Sequence, residues 1–135
     1  MKSKLIAIVG GFVVIMVGNG AIYGGLLAEQ FNEFVARVPE GVMHQSMGHI
    51  FLAHFIQTLV LVWLLSRMKV HSAKEGFVTS GLLHLGMFAV FDLFILGTFT
   101  VFEPIEMVID VFINGFTGGL GGLAIAALLG KFAEE

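Results

Sequence analysis

The stretch LIAIVGGFVVIMVGNGAIYGGLLA, Leu5 to Ala28, contains no charged side chain. A transmembrane helix needs roughly 20 apolar residues to cross a hydrocarbon core about 30 Å thick. This stretch meets that length, and so do Met47–Ser66, Phe77–Val101 and Ile105–Leu129. In hydrocarbon every backbone N–H and C=O must bond within its own segment, so each stretch is read as a helix. The expected fold is all-α: an integral membrane four-helix bundle forming one transmembrane domain over residues 1–135, with spans at about 5–28, 47–66, 77–101 and 105–129. A mean hydropathy of +0.95 with 57% hydrophobic residues agrees, since both exceed the usual soluble range.

The charges sit almost wholly between the spans. Lys2 and Lys4 precede the first; Arg67, Lys69 and Lys74 join the second to the third; Lys131 closes the fourth. The other two connections are acidic. Glu29, Glu33 and Glu40 outnumber Arg37 in the first, and the third holds Glu103 and Glu106. The positive-inside rule then places both termini in the cytoplasm, with the chain a multi-pass protein of the inner (plasma) membrane. The basic start followed by an apolar run also resembles a signal peptide. The run outlasts an h-region, and Gly18-Asn19-Gly20-Ala21 is only a loose cleavage site, so the first span is expected to stay.

The same composition removes several function classes. Cysteine is absent, which excludes thiolate catalysis and Cys-ligated metals. Seven Lys and Arg without a basic stripe, at a net charge of −3, argue against nucleic acid as a partner and leave membrane lipid. Ser46, Ser66 and Ser80 lack the neighbours of a catalytic triad. Gly118-Gly119-Leu120-Gly121-Gly122 lies inside a span with no following Lys-Ser/Thr, so it is not a phosphate loop. The fourteen Phe read as lipid-facing or core residues, and nothing in their spacing selects a pigment or quinone.

Phe31, Phe34, Val35 and Val38 recur at helical spacing, with Glu29, Asn32, Glu33 and Arg37 on other faces. This predicts a short interfacial amphipathic helix at about 29–38 between spans one and two, ended by Pro39-Glu40-Gly41. Tyr23 and Trp63 fall at span ends, where aromatic belts form. Gly20 and Gly24, Gly115 and Gly119, and Gly118 and Gly122 make small-xxx-small pairs that allow close helix approach. They predict either contact between spans one and four or assembly into a homo-oligomer or larger membrane complex.

Ionisable residues at bilayer depth are costly and usually face the bundle interior. Here they are His54, His84, Asp92 and Asp110, with Asn19, Gln57 and Asn114 as neutral companions. Counting about 1.5 Å per residue from each outer span end puts Asn19, His54, Asp92 and Asp110 at roughly 10–13 Å, in one outer-leaflet layer. His49 lies nearer the edge; His44 and His71 lie at or beyond span ends and are expected to be solvated. Four readings follow. Asp92 or Asp110 hydrogen-bonds His54 and fixes helix packing. A partly hydrated pocket formed by Asn19, His54, Gln57, Asp92, Asp110 and Asn114 binds a proton, ion or small polar ligand. His54, Asp92 and Asp110, with His49, ligate a metal such as zinc, iron or copper. His54 and His84 hold a haem, a reading disfavoured because the rise sets them about 14 Å apart in depth. The sequence requires no cofactor.

Several short segments carry a further resemblance: Leu61-Val62-Trp63-Leu64-Leu65-Ser66-Arg67, Ala73-Lys74-Glu75-Gly76, Leu85-Gly86-Met87, Phe102-Glu103, Ile113-Asn114-Gly115 with the small-residue run to Gly130, and Ile22-Tyr23-Gly24-Gly25-Leu26-Leu27. Over nearly its whole length the chain resembles a family of small four-span bacterial integral membrane proteins of unknown function. The resemblance implies the four-span fold and no activity. That family often has a bulky aromatic where Leu83-His84 stands, so His84 is a departure. Two functional classes are therefore expected: a non-enzymatic accessory or self-associating subunit, or an ion, proton or metal carrier built on the outer polar layer. An enzyme would need a bound metal.

Overall fold

The computed structural model describes residues 2–41 and 46–132. Five α-helices follow in order: α1 Lys2–Ala21, α2 Ala28–Arg37, α3 Met47–Arg67, α4 Ala73–Thr98 and α5 Pro104–Lys131, with a π-helical turn at Ile22–Leu26 continuing α1. Four segments are long and apolar enough to cross a membrane: Lys2–Leu26, Met47–Arg67, Ala73–Thr98 and Pro104–Lys131. The chain is thus a multi-pass membrane protein by helix length and composition. The short helix α2 lies where the amphipathic pattern set it. His44, expected to be solvated, lies outside the described residues.

The spans run up and down. Phe12 of α1 packs on Phe51 and Phe55 of α3, and Tyr23 at the far end of α1 meets Asp110 and Asn114 near the start of α5. Both ends of the described chain and the α3–α4 connection therefore lie at one end of the bundle, and α2 lies at the other. Half of the α5 span is buried inside the protein, against 22% for each of the other spans, so α5 is the central helix.

Small residues make that centrality possible. Gly115, Gly118, Gly119 and Gly122 of α5 turn toward α4, where added Cβ atoms would strike Leu85, His84, Phe77 and Ser80. Gly122 and Gly76 bring the α4 and α5 backbones into direct contact. The α1–α5 contact uses other glycines than the pairs suggest. Gly10 and Gly11 receive Leu128 and Ile125, and Gly121 receives Ile15, while Gly20 and Gly24 meet open space. The reason is angular: Gly20 lies off the Ala7, Gly11 and Ile15 stripe that is buried on α1, and Gly24 sits in the π turn, where the regular four-residue register of a packing face is lost.

The apolar core occupies the terminal half. Ala7, Ile15, Leu61, Val62, Leu65, Val70, Ile125, Ala126 and Leu129 form it, and Ile15, Leu65 and Ile125 are wholly buried. The opposite half, capped by α2, holds Tyr23, Asp92 and Asp110 around a cavity.

The α3–α4 connection ends α3 with a Schellman motif. Val70 N–H donates to Leu65 O at 3.0 Å, Lys69 N–H donates to Ser66 O at 3.3 Å, and Lys69 takes φ +58°. A Cβ is penalised in that left-handed conformation. Lys69→Gly should stabilise the protein by about 0.5–1 kcal/mol, read as a raised melting temperature in detergent. An unchanged or lowered melting temperature would show that the lysine side chain offsets its backbone strain.

Candidate functional site: an acidic cavity under α2

Tyr23 stands on the π turn, which widens the helix just before α2 begins; Leu27 N–H donates to Ile22 O at 2.8 Å, five residues back. Such turns recur at functional sites, because an inserted residue re-aims its neighbours. Here the turn directs the phenol at α5. The Tyr23 hydroxyl donates to Asp110 Oδ1. The Asn114 amide, one turn along, donates to Asp110 Oδ2 at 2.9 Å, to the Asp110 carbonyl at 2.9 Å and to the Tyr23 oxygen at 3.1 Å. Both Asp110 carboxylate oxygens are thus held by protein donors.

Asp92 of α4 lies within electrostatic reach of Asp110 and is 4% exposed. Unlike Asp110, it is not fully satisfied: its Oδ2 is buried without a hydrogen-bond partner. A buried polar atom left unpaired is costly and asks for an explanation.

Asp92, Asp110 and Tyr23 line a cavity of about 420 Å³. Its walls are aromatic and aliphatic, with Phe31 and Phe34 from α2, Phe91 from α4, and Phe102. Helix α2 is fixed over it by two kinds of contact. Phe34 stacks on Phe102 with centroids 5.0 Å apart. Arg37 donates to Glu103 Oε1 at 2.9 Å and to Glu106, and its guanidinium lies 5.9 Å from the Phe34 centroid. The hydrogen bond it donates to Glu106, reinforced by the charges of Glu106 and Glu103, pushes the Arg37 guanidinium further above its ordinary range, so this latch keeps its positive charge. Glu106 also accepts from the Glu103 N–H at 3.0 Å, tying the latch to the first turn of α5.

A second polar group lies deeper. His54 Nδ1 bonds Gln57 Oε1 at 2.9 Å, Gln57 Nε2 bonds His84 Nε2 at 2.6 Å, and His84 Nδ1 donates to the Ser80 carbonyl at 2.7 Å. The Ser80 hydroxyl donates to Gly118 O at 2.7 Å. This chain ties α3 to α4 and α4 to α5.

The single layer expected of Asn19, His54, Asp92 and Asp110 therefore separates into parts. Asp92, Asp110 and Asn114 come together. His54 and Gln57 join His84 instead, so neither aspartate is the partner of His54. Asn19 bonds back to Ile15 O at 3.0 Å within its own helix. His49 is exposed and bonds Ser46 Oγ at 2.7 Å. The metal set His54, Asp92, Asp110 and His49 is thus dispersed, and among the described residues no group of three His, Cys, Asp or Glu is disposed to hold a metal ion. The wide separation inferred for His54 and His84 is also corrected, because one glutamine side chain spans the gap. The haem reading still finds no support, as Gln57 fills the space between the two rings.

The layer separates because α3 and α4 differ in length. Helices α3 and α4 share the short connection at Arg67–Ala73, so those two ends are level. Helix α3 has 21 residues and α4 has 26, so α3 stops roughly 8 Å short of the α2 end. Tyr23, read as a belt aromatic, is a site residue. Its spacing of four from Asn19 offered a signal, since it continues the face carrying that polar side chain. The latch residue Arg37 was the only cation in the acidic connections.

No family model, curated protein or solved structure matches this chain.

Proposed function

We propose that this small polytopic membrane protein is a non-enzymatic component that binds a cation in the cavity beneath α2. The carrying observation is Asp92, whose Oδ2 is buried and lacks any protein donor while the residue lines a cavity shared with a second carboxylate. Asp110 serves to set the field, held rigid by Tyr23 and Asn114. Ionisable side chains inside a membrane default to such roles, because their burial cost is otherwise uncompensated. Glu33, Glu103 and Glu106 add acidic character at the rim. On this reading the basic residues at the opposite end face the cytoplasm, and the cavity lies in the outer half of the plasma membrane.

The test is a melting curve of the purified protein against a panel of sodium, potassium, magnesium, tetramethylammonium and benzyltrimethylammonium chlorides. At least one cation should raise the melting temperature of the native chain, and Asp92→Asn or Asp110→Asn should abolish the shift. A panel in which no cation acts, or a shift that survives both substitutions, would refute the reading.

The other reading is a self-associating accessory subunit. One observation favours it: the open face at Gly20 and Gly24. Crosslinking in native membranes, lost in Gly20→Leu, would support it.

A further inference from the structure

Resting on the cation-binding reading above, we propose that the bound cation is organic: an ammonium whose alkyl or aryl body fills the aromatic-walled cavity while its charged head meets Asp92. Size and walls both point away from a bare ion. A water occupies about 30 Å³ in the liquid, so a cavity of about 420 Å³ is many times too large for a dehydrated metal ion. Calcium and magnesium demand six or more oxygen ligands. Asp110 already spends both oxygens on Tyr23 and Asn114, and at the rim Glu103 and Glu106 are taken up by Arg37. An inorganic ion against Asp92 would find its remaining neighbours largely among Phe31, Phe91 and aliphatic side chains.

An ammonium carried on an apolar body meets each wall with its own chemistry. The head meets the Asp92 carboxyl, which lines the cavity, and the nearby charge of Asp110. Phe91 and Phe31 line the cavity, and aromatic rings attract cations electrostatically. The body removes Phe34, Phe102 and Ile95 from solvent. The contrast with Arg37 supports the same chemistry. That guanidinium already sits at the rim against Phe34 and two glutamates, a cation held by the combination of ring and carboxylate that the interior repeats.

The experiment uses the full chain in lipid nanodiscs, with benzyltrimethylammonium as probe and neopentylbenzene, its uncharged isostere, as control. Sodium and magnesium chlorides are titrated in parallel. Benzyltrimethylammonium should bind saturably. Asp92→Asn should weaken it by about tenfold or more. Phe91→Ala should weaken it by about threefold to tenfold, the range of a cation–ring contact. Phe91 is 57% exposed, so its loss should leave folding intact and keeps the test valid where Asp92→Asn does not fold. Neopentylbenzene should show no Asp92-dependent binding. If sodium or magnesium binds in an Asp92-dependent way and benzyltrimethylammonium does not, the organic assignment falls and the cation site stands. If no cation shows dependence on Asp92, both fall. Equal binding of the probe and its neutral isostere would mark an apolar cavity only and also overturn the proposal.

Discussion

Gly122→Val should be the most damaging single substitution, lowering the melting temperature in detergent on the order of 10 °C. A Cβ at Gly122 would collide with the Gly76 carbonyl and with Ser80 Cβ. The first of these is backbone, which cannot swing aside as a flexible side-chain tip can. Overpacking at such a point costs about 1–3 kcal/mol or more. The damage spreads because the same seam carries the Ser80–Gly118 hydrogen bond at 2.7 Å and seats the His84 ring against Gly118. Forcing α4 and α5 apart exposes those groups to hydrocarbon, where replacement partners are scarce. Gly86→Ala is the matched control, since a Cβ there meets nothing within 4 Å. It should be neutral or slightly stabilising, as alanine is the better helix former. Equal melting of the two variants would mean that α4 and α5 do not meet along this face.

The second large effect is expected at Ile125→Ala, on the order of 2 kcal/mol. Ile125 is wholly buried and fills the notch left by Gly11 of α1. In a soluble protein the loss would combine transfer from water with an unfilled cavity. In a bilayer the transfer part fades, because lipid tails are as apolar as the core, and the lost packing contacts remain. Val90→Ala supplies the comparison. Val90 is 72% exposed on the lipid-facing side of α4, so its truncation should cost almost nothing. Reversible unfolding of both variants in mixed micelles would measure the difference. Similar losses at the two positions would contradict a packed interior distinct from a lipid-facing surface.

The four spans and the short helix α2 were legible in the chain because hydropathy and helical spacing act locally. No stretch needs its neighbours to reveal that Leu5–Ala28 cannot face water. The polar site was half legible. Asp92, Asp110 and Asn114 could be named from composition, since charge at bilayer depth is costly wherever the helices lie. Their partners could not, because pairing depends on how far each helix slides along the next. Five residues of difference between α3 and α4 moved His54 out of the aspartate layer and into the Gln57–His84 chain. The π turn was equally hidden. Gly24-Gly25 permits it, but only the contact with α5 reveals that it aims Tyr23 at Asp110. The glycine pairs showed the reverse. The spacing identified surfaces of close approach and left open which helix would use them; α4 takes the α5 pairs, and Gly20 with Gly24 stays unused.

The burial of α5 bears on how the polypeptide comes together during synthesis. Translation threads α1, α3 and α4 into lipid before the helix that all three lean on has left the ribosome. Until then the early segments have only one another, and Ser80 and Asp92 of α4 lack their neighbours Gly118 and Asp110. The seams that α5 makes with α4 and α1 can therefore close only after the last span has been made.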